Sequence, residues 1–98
     1  MPYLVIAHDG RDSAAPERRL AARPAHLENL KRYDADGRVL SGGPILEEGR
    51  MAGSYLLMDF ADRPALDAWL ASDPYTTGDV WRDVTVLEVQ TVFGAGKP

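Results

Sequence analysis

A chain of 98 residues, 45% of them hydrophobic, builds one compact domain and is too short for two. Its formal net charge of −4, with eleven Lys and Arg dispersed along it, disfavours nucleic acid and other phosphate-rich partners, and the absence of cysteine excludes disulfides, thiolate metal ligands and a cysteine nucleophile. No apolar run approaches the roughly 20 residues that span a bilayer, and the amino-terminal run is apolar for only about five residues, so a soluble cytoplasmic protein with no membrane partner is expected.

Pro2 to His8 carries bulky and β-branched residues and predicts a first strand, which HDGRDSAAPE breaks with turn residues. From about Pro16 the spacing turns helical: Leu20, Leu27 and Leu30 share a face, Tyr33 extends it, and the helix is expected to end near Asp34 with Gly37 as its cap. Pro24 inside this stretch removes a backbone hydrogen bond, so the helix either kinks there or begins its regular part there. RVLSGG, residues 38 to 43, predicts a second strand, PILEEGRMAG a polar connection, and SYLLMDF a third strand. Asp62 is placed to cap a second helix that tolerates Pro64 in its first turn and buries Leu66, Trp69 and Leu70. Asp73 followed by Pro74 ends that helix, because a residue before proline avoids helical angles. VWRDVTVLEVQTVF is long for one strand, and its apolar parity slips between Val86 and Leu87, which predicts a bulge or a bend there. The domain is expected to cover residues 1–95, with 96–98 as a short flexible tail.

The order β-α-β-β-α-β fits a ferredoxin-like α+β fold, two helices on one face of a four-stranded antiparallel sheet. Both parities of the strands are apolar, Leu4 and Ile6 against Tyr3 and Val5, Leu56 and Met58 against Tyr55 and Leu57. Two helices cover one sheet face only, so a second copy is expected on the other, giving a homodimer through the open sheet face in an α+β barrel arrangement.

Around the first helix His26 falls between Leu30 and Tyr33, near Arg23, on the flank of the apolar stripe. Antiparallel helices bring the early part of the first beside the end of the second, where Asp73 sits. A carboxylate beside an imidazole orients the ring and favours its protonated form, which makes a group able to exchange protons near neutral pH. The plainer reading is a half-buried histidine bonded to a capping aspartate. Tyr75 belongs either at the mouth of a pocket or in a gap behind the helix stop. In SGGP the backbone N–H groups of Gly42 and Gly43 and the hydroxyl of Ser41 are able to meet a ligand anion, although a strand end needing glycine angles explains them too. His8 reads as an exposed strand end. Two histidines with no cysteine and no His-x-x-x-His pair predict no metal, and no phosphate loop or dinucleotide fingerprint is present, so no cofactor is expected.

Together RLAARPAHLENL, GRVLSGGP and DRPALDAWLASDPYTTGDVWRDVTV resemble the YCII-related (YciI-like) family from about residue 3 to 93, through Arg-x-x-His-Leu, a Gly-Pro after strand two and Asp-Pro-Tyr after helix two, in that order. The resemblance implies a dimeric α+β barrel similar to muconolactone isomerase, a His26–Asp73 dyad, and a pocket lined by Arg23, Ser41, Gly43, Pro44 and Tyr75. A related dehydrochlorinase of a chlorinated hydroxyhydroquinone implies proton-transfer chemistry on small cyclic substrates. Pro24, directly after the motif arginine, departs from the pattern. The expected function is a small cofactor-independent enzyme, lyase- or isomerase-like, with Trp69, Trp81 and Tyr33 as apolar walls. The alternatives are a dimeric module that binds a small molecule without reaction, and a filled scaffold with no pocket.

Overall fold

The computed structural model describes residues 1–94; the expected tail, 96–98, lies outside the described residues. Four strands, β1 (Pro2–Asp9), β2 (Val39–Glu47), β3 (Arg50–Asp59) and β4 (Trp81–Glu88), form one antiparallel sheet in the order β2-β3-β1-β4. Helices α1 (Ala15–Ala35), α2 (Arg63–Ser72) and a single turn, α3 (Pro74–Thr77), complete a ferredoxin-like α+β domain. No helix among the described residues is long and apolar enough to cross a membrane.

Alternation along β1 buries Tyr3, Val5, Ala7 and Asp9 and turns Leu4, Ile6 and His8 to the opposite face. The buried set joins Leu56, Met58 and Phe60 from β3 and its end, Leu66 and Trp69 from α2, and Tyr75, Val80 and Trp81. A large apolar side chain buried in this way contributes about 1.5–3 kcal/mol relative to an exposed one. The opposite face aligns Leu4 with Leu57 and Leu87, and Ile6 with Tyr55.

Three expectations are corrected. PILEEGRMAG is a hairpin: β2 runs through Pro44 to Glu47, and only Glu48 and Gly49 turn, at φ 51° and 79°. Two successive positive φ angles match the twist of the flanking strands, and Pro44 is tolerated because β2 is an edge strand. The irregularity expected at Val86 and Leu87 is absent, since these pair regularly with Val5 and Leu4. It lies instead at Arg82: His8 pairs with Asp83 but Asp9 with Trp81, so the extra residue turns the Trp81 side chain back to the helix-covered face. The strand ends at Glu88, well before Phe93.

The third correction concerns α1, which runs unbroken through Pro24 and does not begin there. Its inward residues are Ala15, Arg19, Ala22, His26, Leu30 and Tyr33, while Leu20 is 60% and Leu27 39% exposed. Leu20 and Leu27 therefore leave the buried face, which keeps Leu30 and Tyr33 of the expected stripe and carries two polar residues, Arg19 and His26, at its centre.

Candidate functional site

Asp73 stands where α2 gives way to α3. The proline that follows holds it in extended geometry, φ −66° and ψ 140°, and its side chain turns inward to cap the short helix by accepting from the Tyr75 amide at 3.0 Å. The same Oδ2 accepts from His26 Nδ1 at 2.6 Å, and Oδ1 from Asn29 Nδ2 at 2.9 Å. Asp73 is fully buried and His26 nearly so. A carboxylate accepts only, so Nδ1 carries the proton of this bond, and in the neutral ring Nε2 then presents a lone pair.

His26 stacks on Tyr75 with centroids 3.8 Å apart and planes 13° from parallel, and meets Trp81 edge-on at 5.6 Å. The Arg19 guanidinium carbon lies 4.7 Å from the centroid of the same Tyr75 ring. Two groups that close fit only on opposite faces, so Tyr75 is clamped between residues two turns apart on α1. Burial pushes the Tyr75 phenol above its usual range, outweighing Arg19 and Arg23, which pull it down.

His26 and Tyr75 line a cavity of about 110 Å³ between α1 and the β2–β3 hairpin. Leu27, Leu30, Met51 and Leu56 supply apolar walls, Gly42 to Pro44 the hairpin side, and Arg23 the exposed rim. A Cβ on Gly42 would meet Leu56 Cδ2 at 2.8 Å, so glycine lets β2 pass close there. A larger, more open groove of about 580 Å³ lies at the far end of β1, lined by His8, Asp9, Arg11, Glu47 and Arg50 among others. It includes neither His26 nor Asp73, and the exposed Arg11–Glu47 pair at 3.2 Å partly neutralises it. The smaller cavity is the one that meets the imidazole.

Of the residues singled out in the sequence, His26, Asp73, Arg23, Gly43, Pro44 and Tyr75 gather here. Tyr75 is not at the mouth: it is 1% exposed and forms the inner wall. Ser41 is not in the cleft, because its register opposite Leu57 turns it to the other sheet face, where Oγ lies 3.2 Å from the Tyr55 hydroxyl. Trp69 and Tyr33 pack with Phe60 in the core rather than on the cavity.

Sequence reasoning missed a second polar cluster. Arg19 donates from Nη1 to both carboxyl oxygens of Asp9, at 3.0 and 3.1 Å, and from Nη2 to Ser54 Oγ at 3.0 Å, while Trp81 Nε1 donates to the same oxygen at 3.2 Å. Asp9, Arg19 and Ser54 are all buried. Burial pushes the Asp9 carboxyl above its ordinary value, the Arg19 charge opposing. The signals were present: Asp9 continues the inward parity of Tyr3, Val5 and Ala7, and Arg19 precedes His26 by two helical turns. Among the described residues no three His, Asp or Glu side chains gather as a metal site.

The fold defines the class, a small ferredoxin-like α+β domain, and in this chain His26 of the first helix is bonded to a buried Asp73. The chain belongs to the YCII-related domain family, whose profile matches residues 1–90. It is 34% identical to Protein YciI of Escherichia coli over 95% of this chain and all of that one, and equally so to an uncharacterized protein of Haemophilus influenzae. The fold is similar to that of 5-chloro-2-hydroxyhydroquinone dehydrochlorinase (TftG) from Burkholderia phenoliruptrix, solved in complex with 2,5-dihydroxybenzoquinone, with TM-score 0.80 and 23% identity over 92% of this chain and 94% of that one. A structure of an antibiotic biosynthesis monooxygenase shares it more distantly, with TM-score 0.54 and 16% identity over 94% and 99%.

Proposed function

We propose that the protein is a small cofactor-independent enzyme that moves a proton on a small cyclic or aromatic metabolite, in a lyase- or isomerase-like reaction. The observation that carries this reading is the 2.6 Å bond from His26 Nδ1 to a fully buried Asp73 on a ring that lines a cavity. Nε2 acts as the base, and Asp73 orients the ring and offsets the positive charge that develops as Nε2 takes up a proton. Arg23, Gly43, Pro44 and Tyr75 bind the substrate. The cavity, about 110 Å³ and open at the Arg23 rim, is of the order of the apolar cavity of about 150 Å³ that holds benzene, so it takes no more than one ring. The dehydrochlorinase of similar fold, which acts on a hydroxyhydroquinone, supports the same substrate class. Leu4, Ile6, Leu57 and Leu87 support a homodimer through the open sheet face.

Proton NMR of small hydroxyquinones and ring acids in deuterated buffer tests this through enzyme-dependent exchange at ring carbon. Positioned proton transfer contributes about 10²–10⁴-fold, so His26→Ala, still folded, should exchange its substrate slower by that factor. An unchanged rate rejects His26 as the base. Binding without any exchange favours a non-catalytic small-molecule module.

A further inference from the structure

Ser54 carries a constraint that the His26–Asp73 pair does not explain. A serine hydroxyl has two acceptor sites and one proton. Both groups that reach its oxygen, Arg19 Nη2 at 3.0 Å and Trp81 Nε1 at 3.2 Å, are donors that cannot accept. The two lone pairs are thereby occupied and the proton is left over. Among the described residues it meets no acceptor, and Ser54 is only 3% exposed, so bulk water does not serve it. Ser54 lines the same cavity as His26 and Tyr75.

We propose that the Ser54 hydroxyl is the oxyanion donor of this cavity, and that the ligand is a ring compound presenting a carbonyl, enolate or phenolate oxygen to it. The catalytic meaning rests on the proton-transfer reading of His26. When Nε2 removes a proton from a ring carbon beside a carbonyl, the C–H bond breaks and an N–H bond forms. The C–H electron pair becomes a carbon–carbon double bond and the carbonyl π pair moves onto oxygen. That oxygen gains the negative charge, and Ser54 donates to it. Where a carbon–carbon double bond adjoins the carbon that loses its proton, the enolate is a dienolate, and return of the proton to its far carbon restores the carbonyl, shifts the double bond into conjugation and completes an isomerisation with nothing else consumed. Arg19 strengthens the donor, because a hydroxyl accepting from a cation gives up its own proton to a hydrogen bond more readily. Asp9 holds Arg19 in position by taking both bonds from Nη1. The chain gives this hydroxyl no acceptor, so an oxygen arriving in the cavity supplies the missing partner, as in a site preorganised for charge that develops during reaction.

The test compares para-nitrophenolate with para-nitrotoluene, a ring of similar shape in which a methyl group replaces the phenolate oxygen, by equilibrium titration. The wild-type protein should prefer the phenolate, and Ser54→Ala should lower that preference about ten- to a hundredfold, the usual effect of a hydrogen bond to a charged group. Ser54→Thr, which keeps the hydroxyl, should retain the preference. Since alanine strands the Arg19 and Trp81 donors, its folding is checked by thermal melting; if it fails to fold, Ser54→Cys, of similar size and with a much weaker donor, takes its place with the same expected fall. No phenolate preference in the wild type, or an unchanged preference in the alanine or cysteine variant, overturns the proposal. The titration needs no turnover, so failure of the His26 exchange experiment leaves it intact. Loss of the Ser54 effect with His26-dependent exchange preserved removes the donor alone.

Discussion

Asp73 offers the sharpest perturbation, because one residue caps a helix, holds a second helix and orients the imidazole. Asp73→Ala leaves His26 Nδ1 and the Tyr75 amide without their acceptor in a buried setting, while the half-buried Asn29 amide turns to water. Two buried donors at about 1–3 kcal/mol each predict a loss of roughly 2–6 kcal/mol. Domains are stable by about 5–15 kcal/mol, so this loss is a large fraction of the total. Asp73→Asn behaves differently. Its amide oxygen takes over the bonds from His26 and Tyr75, its amide nitrogen faces Asn29, and Asn29 flips its own amide to accept. All three contacts survive and only the charge is lost, at about 1–2 kcal/mol. Urea titrations followed by fluorescence of the buried Trp69 and Trp81 separate the two variants. The asparagine variant should stay folded yet exchange substrate protons more slowly, because nothing offsets the imidazolium. An alanine variant within about 1 kcal/mol of wild type refutes the account of Asp73 as the anchor of this junction.

The remaining predictions concern the second cluster and acid behaviour. Asp9→Ala strands the charge of Arg19, which is 4% exposed, and should cost about 3–5 kcal/mol in urea titration, whereas Asp9→Leu combined with Arg19→Met should cost clearly less. The bidentate bond from Arg18 holds the exposed Asp12 carboxyl well below the usual carboxylate range. A depressed carboxyl contributes stability that is present above its unfolded value and lost as pH falls towards the folded one, so Asp12→Asn should flatten the acid limb of a plot of urea midpoint against pH. Burial raises Asp9 despite Arg19, so its contribution has the opposite sign: it improves as pH falls through the raised value, and Asp9→Asn should steepen the same limb.

Much of this architecture is legible without coordinates. Alternation in Pro2–Asp9, the Asp62 cap that accepts from the Ala65 amide at 2.9 Å, and the Asp73–Pro74 stop are local features set by covalent geometry, and they hold in the structure. The β2–β3 hairpin escaped because Pro44, Glu47, Glu48 and Gly49 are turn-like in isolation. Only pairing across the sheet, Glu47 with Arg50 and Ile45 with Gly53, makes strands of them.

For the candidate site the division is sharper. Helical spacing put His26 on the right helix and connectivity brought it towards Asp73, 47 positions along the chain. The same spacing, weighted by hydrophobicity, points Leu20 and Leu27 inward, whereas the folded chain leaves both exposed and buries Arg19. A periodic pattern records which side chains share a face; it does not record what waits opposite that face. Arg19 and His26 are buried because Asp9, Ser54 and Asp73 arrive from other segments to satisfy them, and that exchange of solvent for distant partners is decided only when the sheet and helices close.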